Sequence, residues 1–155
     1  MKTKTKNGED YRLYILVRND LPSMKPGKAM AQASHASNQF IYEHGKMADV
    51  KAWQGNREFG TVIVLTTTGD RVFNIVKNAN IHGRMSGHVY DPTYPYIVTQ
   101  EINHLISEKN HSATPIHKDN GEVVCFRKEL TCGYIFLPLN SPAQIELVGD
   151  LSRHP

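Results

Sequence analysis

Apolar and polar positions alternate between two rhythms along this chain. Arg12 to Arg18 (RLYILVR) is an unbroken, β-branched apolar run, the pattern of a strand buried on both faces, and it is followed by the turn residues Asn19, Asp20, Pro22 and Ser23. Pro26 and Gly27 then open a helix predicted to run to about His44, with Gly45 as its stop. On that helix Ala29, Ala33, Ala36 and Phe40 recur at i, i+4, i+7 and i+11, a small-residue face suited to close packing on a sheet. Lys28, Gln32, His35 and Gln39 repeat the spacing one position earlier as an adjacent polar stripe.

Beyond a polar connector holding Trp53, residues Gly60 to Thr67 (GTVIVLTT) predict a second buried strand. Thr68-Gly69-Asp70 introduces a helix through Val72, Phe73, Ile75, Val76 and Ala79 that ends near Gly83. Met85 to Tyr90 reads as a third strand, closed by Asp91 and Pro92, and Gly133 to Leu137 (GYIFL) as a fourth. Ser141 is the expected N-cap of a short helix from Pro142 to Val148. The order strand-helix-strand-helix-strand-strand-helix predicts an α/β sandwich with a mostly parallel or mixed sheet. The stretch from Thr99 to Cys132 is polar and rich in turn signals. Asp119-Asn120-Gly121 marks a hairpin tip and GEVVCFR its return strand, so residues 100–131 are expected to form an inserted arm on a single domain spanning 11–155. Residues 1–10 read as a disordered basic tail.

A chain of 155 residues, 39% apolar, can bury one core without staples. No apolar run is long enough to cross a membrane, and Lys2 to Asp10 lacks the apolar stretch of a secretory signal; the expectation is a cytoplasmic protein that does not engage membranes. Its two cysteines, Cys125 and Cys132, are expected to be reduced thiols. The net charge of +3 is too small to diagnose a nucleic-acid binder. Ten Lys/Arg against six Asp/Glu fall in residues 1–60, yet Lys2, Lys4 and Lys6 of the tail account for most of that bias.

The chemistry concentrates where strand one enters the long helix. A loop through Pro26-Gly27-Lys28 aims backbone N–H groups and an ammonium at one point, a site for phosphate or a developing oxyanion. A cation beside the positive end of a helix dipole is unfavourable for the fold, which argues for an anionic partner at Lys28. Other motifs fail. Lys25-Pro26-Gly27-Lys28-Ala29 lacks the upstream glycine and the following Ser/Thr of a nucleotide-binding P-loop. His104, His111 and His117 with Cys125 and Cys132 lack metal-ligand spacing, so neither a metal nor another cofactor is expected. Ser34 and His35 are adjacent on a helix and point about 100° apart, so they cannot act as nucleophile and base.

RLYILVRNDL (Arg12 to Leu21), MKPGKAMAQASHA (Met24 to Ala36), Trp53, Asp91 and the closing GYIFLPL…IELVGDL together resemble the type 2 peptidyl-tRNA hydrolase family. The resemblance implies a compact α/β fold with a four-stranded sheet, here a three-layer sandwich with helices on both faces. It also implies frequent homodimers, no metal, and hydrolysis of the ester joining a peptide to tRNA. Carried over residue by residue, the second lysine of the family's Gly-Lys-Gly-Lys start falls on Lys28. The first falls on Pro26, with Lys25 beside it as a substitute. The family's aspartate falls on Asp91, but Pro92-Thr93-Tyr94-Pro95-Tyr96 follows where the family has Ala-Gly-X-Thr-Gln. Thr99, followed by Gln100, supplies the catalytic threonine only if three or four residues are looped out. A second family threonine falls on Cys132 or, shifted by one, on Thr131.

Ester hydrolysis needs a positioned water, a group that orients its proton, and donors for the oxyanion. Lys28 is assigned to the oxyanion or the departing ribose oxygen, Asp91 to the water, and Thr99 to its geometry. Arg18, Asn19, Asp20, Lys25, Gln32 and His35 are the candidate substrate and tRNA contacts, with Lys77 an outlying one; His35 is placed to hydrogen-bond Asp20 or the substrate. Two other functions fit the same residues: a tRNA-binding or regulatory protein whose catalysis has lapsed, and a module whose arm docks a protein partner through an edge strand around Val123 to Phe126.

Overall fold

A computed structural model describes residues 10–55, 59–97 and 116–155. In chain order the elements are β1 (Tyr11–Arg18), α1 (Pro26–His44), α2 (Ala48–Gln54), β2 (Val62–Thr67), α3 (Gly69–Ile81), β3 (Ser86–Ile97), β4 (Ile116–His117), β5 (Val123–Pro138), α4 (Pro142–Val148) and β6 (Ser152–Arg153). The strands form a mixed sheet in the order β3-β5-β1-β2-β6, with β4 paired to β5. β1 and β2 are parallel, Leu13 opposite Val62 through to Arg18 opposite Thr67. β1 and β5 are antiparallel, Tyr11 opposite Pro138 through to Val17 opposite Cys132. The parallel pair needs a crossover, which α1 and α2 supply.

Residues 10–89 with 131–155 form one compact unit and residues 90–97 with 116–130 a second. In the larger unit Leu13, Ile15 and Val17 of β1 share a cluster with Ala29, Ala36 and Phe40 of α1, Val50 and Trp53 of α2, and Cys132, Tyr134 and Phe136 of β5. Tyr14 and Leu16, pointing the other way, are buried too. On β5, Gly133 lies so near α3 that a Cβ there would stand 2.6 Å from Val76 Cγ2. Packing on both faces is why β1 reads as a continuous apolar run rather than an alternation.

Trp53 stands edge-on to Phe40 and to Phe136, at centroid distances of 5.7 and 5.6 Å, and donates Nε1–H to Thr61 O at 3.1 Å. Gly60, at φ +73°, passes so close that a Cβ would fall 2.3 Å from the indole. In the smaller unit Tyr94 is fully buried beside Tyr96, Tyr96 donates its hydroxyl to Glu129, and Arg127 pairs with the same carboxylate at 2.9 Å.

Several expectations need correction. The sheet has six strands among the described residues, not four, because β4 and β6 are two residues long and leave no period-2 pattern. The third strand does not close at Asp91. It runs to Ile97, and its prolines are tolerated because β3 is at the edge of the sheet. The arm's return strand and the fourth strand are one element, β5. The connector around Trp53 contains α2. Gln32 is not part of an exposed stripe: it lies 40° around the helix from Ala36 and is buried with it. Ser141 does cap α4, accepting from Gln144 N at 3.1 Å. Cys125 and Cys132 are both buried and are not joined in a disulfide. Among the described residues no helix is long and apolar enough to cross a membrane.

Candidate active site at the start of helix α1

Asn19 N donates to Thr67 O at 3.0 Å as the chain leaves β1, and buried Leu21 anchors the connection that follows. Two tight turn bonds, Met24 N to Leu21 O and Lys25 N to Ser23 O, both 2.9 Å, bring the chain to the helix. Lys25 is the N-cap residue in an extended conformation. It makes no side-chain cap, Pro26 takes the first helical position, and the first turn holds no acidic residue. Ala29 N closes the first helical bond on Lys25 O at 2.9 Å. The first-turn N–H groups lack intrahelical acceptors by position, and the two cations near them are Lys25, exposed, and Lys28, half-buried. This end of α1 is electropositive by charge and by dipole.

One helical turn on, Gln32 is 4% exposed and Thr131, on β5, is fully buried. Thr131 Oγ1 donates to Gln32 Oε1 at 2.6 Å, and Val89 O lies at 3.4 Å. A hydroxyl has one proton, and the shorter, better bond takes it. Cys132 Sγ donates to Gln32 O at 3.3 Å. Both residues considered for the second family threonine therefore contact Gln32, and only Thr131 brings a hydroxyl to its amide.

Arg18 and Asp20 face each other. Arg18 Nε donates to Asp20 Oδ1 at 2.8 Å and Nη2 to Oδ2 at 3.1 Å. The same carboxylate accepts the backbone N–H of Gly69, first residue of α3, at 3.1 and 3.2 Å. The Arg18 hydrogen bond holds the Asp20 carboxyl below the usual carboxylate range; partial burial opposes it, and the Gly69 N–H assists. The expected bond from His35 to Asp20 is not formed. His35, Asn19 and Lys77 are exposed.

Asp91 lies within β3, in the smaller unit, half-buried. Its Oδ1 accepts from Thr93 N at 2.9 Å and from Thr93 Oγ1 at 3.3 Å. Residues 92–97 continue the strand instead of looping out. Thr99 lies outside the described residues, as do His104 and His111. Among the described residues Thr93 brings a hydroxyl to Asp91, a partner signalled in the sequence by Asp-Pro-Thr, since aspartate oxygens favour the backbone N–H two residues on. Among the described residues no group of three or more His, Cys, Asp or Glu is placed to hold a metal ion.

A family model, Peptidyl-tRNA hydrolase PTH2, matches residues 11–99. The chain belongs to this family. The match runs from β1 into the segment after β3 and takes in every candidate site residue from Arg18 to Thr99; β5, with Thr131, lies beyond it. Membership makes the chain a member of a hydrolase family. No curated protein matches the chain. A solved structure of a protein of unknown function from Agrobacterium tumefaciens strain C58 is similar at 7% identity and a TM-score of 0.47, covering 94% of this chain and 98% of that one.

Proposed function

We propose that the protein hydrolyses the ester between a peptide, or an N-blocked amino acid, and tRNA. Water adds to the ester carbonyl, the bond to the ribose oxygen breaks, and free tRNA and the acyl acid leave. One observation carries this reading: in a chain of the peptidyl-tRNA hydrolase family, a lysine occupies the first turn of a long helix whose N-cap side chain makes no cap bond and whose first turn holds no acidic residue. Lys28 stabilises the oxyanion or the departing ribose oxygen, where charge develops in the transition state. Asp91, kept in orientation by Thr93, holds the attacking water. Lys25 contacts phosphate near the acceptor end, a point charge on a flexible stem. Burial of both faces of β1 supports the three-layer architecture that the resemblance implies. The protein works in the cytoplasm, and a second copy is its expected partner.

The test is release of labelled N-blocked aminoacyl-tRNA by the purified protein, beside Lys28→Ala and Asp91→Asn, with tRNA binding followed across a salt series. Turnover that both substitutions suppress, with binding retained, supports the reading. Salt-sensitive binding without turnover in the unsubstituted protein overturns the esterase and leaves a tRNA-binding relative. The absence of both turns attention to a protein partner of the second unit.

A further inference from the structure

We propose that Asp20 is a positioning residue, which with Arg18 ties the β1–α1 connection to the start of α3 and so sets where α1 begins and where Lys28 stands. The catalytic consequence rests on the hydrolase reading; the mechanical one does not.

Helix α3 starts with an unmet need. Thr68, its N-cap residue, makes no side-chain cap bond. The Gly69 N–H is instead satisfied by Asp20, from a connection 49 residues earlier, which cups it with both oxygens. Arg18 holds the carboxylate in a two-bonded fork, which fixes its plane as well as its position. Gly69 is the residue this arrangement requires, because a Cβ there would stand 2.4 Å from Arg18 Cζ. Asn19 N on Thr67 O fastens the same spot again. Between it and Lys28 lies a short, turn-bonded path with Leu21 buried in it, so little slack is left to absorb a shift at Asp20.

The same contacts argue against direct RNA contact by this pair. A carboxylate repels phosphate, and the Asp20 oxygens already accept from Arg18 and Gly69. Two of Arg18's N–H donors are directed at Asp20. The cations nearest the start of α1 are Lys25 and Lys28.

Asp20→Ala, Asp20→Asn and Arg18→Lys test the clamp by amide hydrogen exchange and by steady-state hydrolysis of N-blocked aminoacyl-tRNA. In Asp20→Ala, exchange at Gly69 and at Met24, Lys25 and Ala29 is expected to rise on the order of tenfold, with Ile15 and Ile135 unchanged. The value of kcat is expected to fall on the order of 10- to 100-fold with KM within about threefold, the signature of a displaced catalytic group rather than a lost contact. Asp20→Asn, which keeps one oxygen for Gly69, recovers most of both. Unchanged exchange at Met24, Lys25 and Ala29, or a loss confined to KM and tRNA affinity, overturns the proposal. If the unsubstituted protein shows no turnover, the hydrolase reading fails and exchange alone decides the clamp. If Asp20→Ala does not fold, Arg18→Lys, which keeps the charge but loses the fork, carries the same measurements.

Discussion

The two ends of α1 are built to opposite rules. At the C-terminal end Phe40 is fully buried and packed on Trp53, Tyr134 and Phe136. Glu43 opposes the negative end of the dipole there, yet it accepts from the Tyr134 hydroxyl and from Gln39 Nε2 at 2.9 Å, and His44 meets the same hydroxyl at 3.1 Å. At the N-terminal end Lys28 opposes the positive end of the dipole, and no acid in the first turn offsets it. An unfavourable charge at one end is absorbed into the aromatic packing; at the other it stands half-buried in the first turn, where the proposed reading places the developing oxyanion. The contrast separates what holds this helix in place from the end to which the proposed chemistry is assigned.

If that separation is real, substitutions at the two ends should move different observables. Phe40→Ala, which removes an aromatic ring from the middle of the cluster, is expected to cost about 3–5 kcal/mol of stability in a denaturant melt. A much smaller loss would show that the cluster can collapse around the vacancy and does not pin the helix. Lys28→Ala is expected to slow ester hydrolysis by about 10²–10³-fold, the scale of one lost oxyanion donor. Its unfolding midpoint should stay level or rise slightly, because relieving a charge that opposes the dipole is worth about 0.3–1 kcal/mol. Activity that survives Lys28→Ala would break the comparison outright. Tyr134→Phe keeps the ring and removes the hydroxyl shared by Glu43 and His44. It is expected to cost about 1–2 kcal/mol, with turnover per folded molecule unchanged.

The sequence made the N-terminal end of α1 easier to read than the C-terminal one. Pro26-Gly27-Lys28 after an apolar strand is a local signal, and β1, α1, α3 and the Ser141 cap follow from periodicity and turn chemistry within a few residues. What stayed hidden depends on contacts distant in the chain or on elements too short to show a period. Seven residues with only Val50 and Trp53 buried do not announce α2. Arg127-Lys128-Glu129 looks like a break, although β5 passes straight through it. For Gln32 polarity and angular position on the helix point opposite ways, and the hydroxyl that satisfies it when buried comes from Thr131, 99 residues away. The Asp20–Gly69 bond has no sequence signature at all, because Asn and Asp after a strand already make sense as a turn.

The smallest effect falls on that bond and distinguishes the two ends by pH. Arg18 and Gly69 depress the folded-state pKa of Asp20, so its stabilising contribution is fully present above the ordinary carboxylate value of about 4 and is lost as pH falls through the lower folded value. The carboxylate is partly exposed, so the contribution is screened and modest. The stability gap between the unsubstituted protein and Asp20→Asn should therefore be constant near neutrality and narrow only below about pH 4. Amide exchange followed over the same range locates the change: Gly69, Met24 and Ala29 are expected to loosen with acid before Gly45, whose N–H is held by Ile41 O at the packed end of the helix. Simultaneous loosening at both ends would mean that α1 responds as one rigid body, and that its start has no adjustment of its own for Asp20 to control.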